Sequence, residues 1–323
     1  MIDVQRLRVL REVARHGSFS RAAAALLCTP SAVSQQIAAL ERTLGTPVVE
    51  RSTRGVVLTG AGVLLVEAAD AVTAELRHAQ EQIDRLGAGR AALAVATFTS
   101  GGQRLLPAAL GRFVAAHPEV ELTVLEGEPE VAVPWVREGR ADLALAYHFG
   151  GPPPVRRGDR SGLAWTPVLD DPMWIVLPAG HRLAGRGSVH LTELAGEAWV
   201  LGCSKTKAVV EQYAGLAGFE PRILASTTDY FFAQALVAAG VGVALIPEIG
   251  LVAGVGRPRG GGPGPLRTGA LPGATGDGDL VAVAVEQPRP VRYVGVVTAR
   301  RKAPNPVAET LVEALRASAA TLG

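Results

Sequence analysis

Apolar positions recur at helical spacing through the first ninety residues and at strand spacing after them, which divides the chain in two. Val4, Leu7, Leu10 and Val13 form an apolar stripe between Arg6, Arg8, Arg11 and Arg15, and predict a first helix. Arg21 to Leu26 is a run of helix formers that Ser18 or Ser20 can cap. A third helix starts at Thr29-Pro30, a capping residue followed by a proline whose missing N–H costs nothing there. In it Val33, Ile37 and Leu40 share one face, and Ser31, Ser34, Gln35 and Gln36 project from the other. Leu44 to Thr59 reads as a short strand, an Arg- and Gly-bearing turn and a return strand. From residue 60, Leu65, Val72, Leu76, Ala79, Ile83 and Leu86 trace a heptad seam ended by Gly87-Ala88-Gly89. An isolated helix of that length is marginal in water, so it needs a partner: a second subunit or its own domain.

After residue 91 short apolar strands alternate with amphipathic helices. Strands are predicted at 92–96, 119–126 and 143–147, with helices at 103–116 and 131–137 between them, giving two right-handed crossovers on a parallel sheet. Residues 150–160 are a loop, followed by separate strands at 163–169 and 173–177. Further strands fall at 198–201, 222–225, 243–246, 280–285 and 291–297, with helices near 206–217, 229–239 and 307–317. Residues 254–278, rich in Gly and Pro with three Arg, cannot bury a core and are expected as a flexible surface loop.

An exposed helix face of hydroxyl and amide side chains suits a DNA major groove, although a plain helical hairpin has the same local pattern. The ordered set Gly17-Ser18-Phe19-Ser20-Arg21-Ala22-Ala23, Pro30 to Ile37, Leu40-Glu41, Leu44-Gly45, Glu50-Arg51, Arg54 and Leu58 to Gly62 resembles the N-terminal domain of LysR-type transcriptional regulators. The resemblance implies an N-terminal, all-α winged helix-turn-helix at 1–59 and a linker helix at 60–89 that pairs two subunits. It further implies an α/β effector region of two doubly wound subdomains, like periplasmic solute-binding proteins, at 90–162 with 279–323 and at 163–253, the loop 254–278 lying between. Pro30, Ser31, Ser34 and Gln35 are then expected at base edges, Arg54 in the minor groove, and Ser20, Arg21, Gln36 and Arg51 on phosphates. Leu65, Val72, Leu76, Ile83 and Leu86 become the dimer seam. The implied partners are double-stranded DNA, a small-molecule effector, further copies of the chain as a homodimer or homotetramer, and RNA polymerase if the regulator activates. Where the family often has Phe before Glu-Arg, this chain has Val49, which implies a less firmly packed wing.

Charge supports that division. The 323 residues carry a net +2, yet residues 1–58 hold eight Arg against four acids, and residues 59–90 three Arg against five. The positive charge is concentrated where phosphate neutralisation needs it. A hydrophobic content of 48% supports sizeable cores, and no apolar run has the length of a membrane span. The N-terminus lacks a secretory pattern, so a cytoplasmic location and no membrane partner are expected. Two cysteines, Cys28 and Cys203, give no disulfide framework. No phosphate loop, dinucleotide fingerprint, nucleophile elbow or metal-spaced His pair occurs, so neither cofactor nor metal nor enzymatic activity is expected. The competing class is an enzyme or transport component on the same solute-binding fold.

Three hydroxyl clusters follow strands and precede helices: Thr97 to Gly101, Cys203 to Thr206, and Ser226 to Asp229. With Lys205 and Lys207 close by, they predict an anionic effector of the carboxylate class between the subdomains. Thr99, Ser100, Ser204 and Thr228 would hold it, Cys203 and Thr227 line it, and Tyr147 and His148 stand at the hinge. Simple capping of each helix is the competing explanation. Cys203, beside Lys205 at a strand end, also admits a redox-responsive reading, without a visible resolving cysteine.

Overall fold

The computed structural model describes residues 2–52, 55–88, 91–155, 162–252, 255–256, 280–300 and 305–321. Local signals set the N-terminal domain. Helix α1 (Val4–His16) is capped by Asp3 and ends on Gly17, which takes the left-handed φ of 59°. Of the two serines available, Ser18 caps α2 (Phe19–Ala25), and Thr29 caps α3 (Pro30–Leu44) with Pro30 in its first turn. The axes of α2 and α3 turn through 106°, the angle of a helix-turn-helix. Leu10, Val13, Ala22, Ala23, Val33, Ile37 and Leu40 close one core between the three helices.

The wing is the hairpin of β1 (Val49–Ser52) and β2 (Gly55–Leu58). It is anchored twice. Glu41 Oε1 accepts from the N–H groups of Val48 and Val49, and Val56 N–H donates to the Gly17 carbonyl at 3.0 Å. Gly55 has a φ of 127°, and a Cβ there would stand 2.6 Å from the Gly17 oxygen, so only glycine lets the wing meet the α1–α2 turn. Val49 is half-buried against this core, as are Val56 and Leu58. Helix α4 (Gly60–Ala88) follows directly and packs on α1.

In the effector region come β3 (Ala92–Thr97), α5 (Thr99–Arg104), α6 (Leu106–Ala116), β4 (Glu121–Glu126), α7 (Pro129–Arg137) and β5 (Leu143–Phe149). The expected helix at 103–116 is thus two helices, beginning at Thr99 and broken at Leu105, with Pro107 in the first turn of α6. Then follow β6 (Leu163–Pro178), β7 (Ser188–Val189), β8 (Ala198–Leu201), α8 (Thr206–Leu216), β9 (Arg222–Ser226), α9 (Tyr230–Ala238) and β10 (Ala244–Pro247). The last elements are β11 (Leu280–Val285), β12 (Val291–Ala299) and α10 (Pro306–Ala320). One curled sheet runs β4-β3-β5-β12-β6-β11-β7, with β10 also on β6, and β8 and β9 form a separate parallel pair.

Two sequence expectations are corrected here. The segments 163–169 and 173–177 are one 16-residue strand, β6, which crosses from the first subdomain to the second. Asp170-Asp171-Pro172 reads locally as a turn. It stays extended because Asp171 lies opposite Arg292 of β12, whose charge compensates it. Residues 280–285 were expected in the first subdomain, but β11 pairs with the far half of β6, from Leu280 opposite Pro178 to Ala284 opposite Trp174, and belongs to the second. The chain returns to the first subdomain only after β11. The expected loop at 254–278 lies almost entirely outside the described residues. Among the described residues no single helix is long and apolar enough to cross a membrane.

Candidate functional site

The sequence predicts two candidate faces on this scaffold, one on α3 and one between the effector subdomains. On α3 the division of faces is clear. Val33, Ile37 and Leu40 are buried, Pro30, Ser31, Gln35 and Gln36 are exposed, and Ser34 is half-buried. Ser20 and Arg21 are exposed at the start of α2, beside that face. Arg51 is in β1, but its side chain and the whole of Arg54 lie outside the described residues. Cys28 is exposed in the turn between α2 and α3. Leu27 beside it takes a φ of 54°, which for a branched side chain is strained. Leu27→Gly is expected to stabilise the domain by about 0.5–1 kcal/mol in denaturant titrations, the αL strain outweighing the entropy of glycine.

Along α4, Leu65 is half-buried on the N-terminal core while Val72, Leu76 and Ile83 are exposed; the side chain of Leu86 lies outside the described residues. The exposed part of the stripe is the part expected to pair.

Between the subdomains the centre is a charge pair that the sequence did not announce. Arg292 and Asp171, both 0% exposed, face each other across β12 and β6. Arg292 Nε and Nη2 donate to Asp171 Oδ2 at 2.9 and 2.7 Å, and Ile249 N–H donates to Oδ1 at 3.1 Å. Nη2 also donates to Ser100 Oγ at 3.1 Å. Burial disfavours the guanidinium charge, but Asp171, with smaller help from Tyr230 and Tyr147, outweighs it and raises the Arg292 pKa. The rings of Phe98, Tyr147 and Tyr230 surround the cation at 4.9–5.7 Å from Cζ. A lone Arg in one otherwise apolar strand and the Asp170-Asp171 pair in another were the available signal.

Above this floor the subdomains meet. Tyr147 donates its hydroxyl to Glu128 Oε2 at 2.6 Å and stands 3.6 Å from Cys203 Sγ. Lys205, from the second subdomain, reaches Glu128 at 3.1 Å and Glu130 at 2.6 Å, and sits 4.7 Å over the Tyr147 ring. Burial, with Cys203, Tyr230 and Glu128 nearby, drives the Tyr147 pKa far up, so it remains a donor. An open groove of about 540 Å³ flanks this contact, lined by Pro129, Val133, Tyr147, His148 and Lys205.

The expected effector residues divide. Ser100, Tyr147 and Cys203 converge on the floor. Thr99 instead donates to Glu126 at 2.6 Å, and Thr227 donates to the carbonyls of Leu201 and Asp229. Ser204 and Thr228 are exposed. His148 binds the Gly150 carbonyl through Nδ1 and stacks on Tyr293, on the hinge strands. The N-terminus of α9, counted among three free anion sites, already holds the Asp229 carboxylate, which accepts from Phe231 and Phe232. Lys207 pairs weakly with Glu211 along α8.

Comparison with known proteins covers both regions of the chain. Residues 4–63 match the family model of the bacterial regulatory helix-turn-helix protein, lysR family, and residues 87–259 that of the LysR substrate binding domain. The transcriptional dual regulator GltC of Bacillus subtilis is 31% identical over 252 residues, spanning 76% of this chain and 81% of GltC. A probable hydrogen peroxide-inducible genes activator of Mycobacterium avium is 35% identical over 255 residues, spanning 75% and 76% of the two chains. Among solved structures, HinK, a LysR family transcriptional regulator from Pseudomonas aeruginosa, shares the fold with a TM-score of 0.56 at 21% identity, covering both chains fully. CbnR in complex with its target DNA does so with a TM-score of 0.53 at 20% identity, covering 98% of this chain and all of CbnR.

Proposed function

The chain belongs to the LysR family of transcriptional regulators, and we propose that it reads operator DNA with the exposed face of α3 and responds to a small molecule held between its effector subdomains. The carrying observation is the split of α3 into a buried apolar face and an exposed face of Pro30, Ser31, Gln35 and Gln36. Gln35 offers both an amide donor and an acceptor, the pattern that pairs with adenine in the major groove. Arg21, exposed at the start of α2, is assigned to phosphate.

Gln35→Ala is expected to relax preference at one base pair by about 1–3 kcal/mol. Arg21→Ala should weaken binding to all sequences alike and reduce the salt slope by about one charge. Competition assays with operator variants from the chain's own upstream DNA, run at several salt concentrations, separate the two. A Gln35→Ala profile identical to wild type, with a changed Arg21→Ala profile, would reverse the assignment.

The sequence pointed to an anionic effector, but the electrostatics of the cleft favour a different class. Of the cations around it, Lys205 and Arg292 are already paired, against Glu128, Glu130 and Asp171, while Arg137 lines the flanking groove. An incoming carboxylate adds a fourth negative group to that set and has to be desolvated as well. A small uncharged polar molecule meets no such cost. The redox alternative gains no observation of its own, since Cys28, the chain's other cysteine, is on the DNA-binding domain and not at the cleft.

A further inference from the structure

We propose that the hydroxyl of Tyr230 is the recognition group of this cleft, and that the effector offers it an uncharged acceptor, a carbonyl or amide oxygen. This rests on the reading of the cleft as the effector site. Tyr230 opens α9 and is only 7% exposed, yet its hydroxyl is buried without a hydrogen-bond partner. A buried hydroxyl in that condition lowers stability, and phenylalanine would fill the same space without the penalty. Its ring is held from both sides. A Cβ on Gly202 would stand 2.3 Å from Cδ1, and one on Gly250 would stand 3.1 Å from Cδ2. Two glycines therefore make the slot that holds this phenol, with the Arg292 guanidinium carbon 5.7 Å from the ring centre.

The hydroxyl's surroundings say what it meets there. Arg292, Cys203, Asp171 and Glu128 all act electrostatically on the phenol. Burial raises its pKa, and Arg292 opposes that only in part, so the group stays protonated and donates. The floor thus presents a neutral donor, while its guanidinium is spent on Asp171 and Ser100. A neutral donor beside compensated charges fits a neutral acceptor.

The test uses the full chain with three acid and amide pairs: acetate with acetamide, benzoate with benzamide, nicotinate with nicotinamide. Thermal midpoints and calorimetric Kd values are measured for wild type and Tyr230→Phe. The free variant is expected to melt about 2–4 °C higher than wild type, because an unsatisfied hydroxyl is gone. At least one amide should raise the wild-type midpoint more than its acid, and bind Tyr230→Phe about tenfold more weakly. A variant no more stable than wild type, or binding that amide with unchanged Kd, overturns the role of Tyr230. Acid preference, or no shift from any amide, overturns the ligand class. The cleft reading fails on a different signal: an amide shift that survives Ser100→Trp, which fills the floor.

Discussion

Arg292→Met is expected to destabilise the effector domain by about 3–5 kcal/mol, because it strips a fully buried Asp171, whose pKa burial already raises, of the cation that compensates it. For a domain of this size that is a thermal midpoint lowered by roughly 6–20 °C. The pair is fully enclosed, so solvent screening offers no relief. It also joins four pieces of chain: β12 through Arg292, β6 through Asp171, α5 through Ser100, and the turn after β10 through Ile249 N–H. The double substitution Arg292→Met with Asp171→Leu removes both charges and should recover a large part of the loss. It will not recover all of it, since Ile249 N–H loses its acceptor. Urea titrations of wild type and the two variants give the comparison. A single Arg292→Met within about 1 kcal/mol of wild type would show that the pair does not hold the hinge.

The DNA-binding domain was legible because its signals are local. Ser18, Thr29-Pro30 and Gly17 act on residues within a few positions, and Val33, Ile37 and Leu40 declare their face by spacing alone. The effector floor was not, because its organising bond joins residues 121 positions apart. Without Arg292 in view, Asp170-Asp171-Pro172 looks like a turn and splits β6 in two. The three hydroxyl clusters were located correctly at strand ends, but their roles depended on carboxylates. Glu126 captures Thr99, and Asp229 serves its own helix instead of leaving the N–H groups open. Tyr230 carries no sequence signal, since an aromatic residue at the start of an apolar helix reads as core. Only the orphan hydroxyl distinguishes it.

Leu76→Glu is expected to break the assembly that operator binding requires. Leu76 and Ile83 are 60% and 59% exposed along α4, on the side where the heptad spacing places a seam. In a single chain, exchanging so exposed a leucine for glutamate removes little packing and should leave the melting of the monomer within about 0.5 kcal/mol. In a paired helix the same carboxylate is buried against apolar side chains without a partner, at a cost of several kcal/mol. Each 1.4 kcal/mol weakens association about tenfold, so dissociation should be evident at micromolar protein. Two helix-turn-helix units then no longer reach one operator together, and the phosphate contacts of one subunit are lost. The slope of affinity against salt should fall to about half. Sedimentation velocity gives the size of the species, and salt-dependent binding to the chain's own upstream DNA gives the slope. If Leu76→Glu sediments as wild type and keeps its salt slope, the subunits meet through another surface and α4 is a linker only.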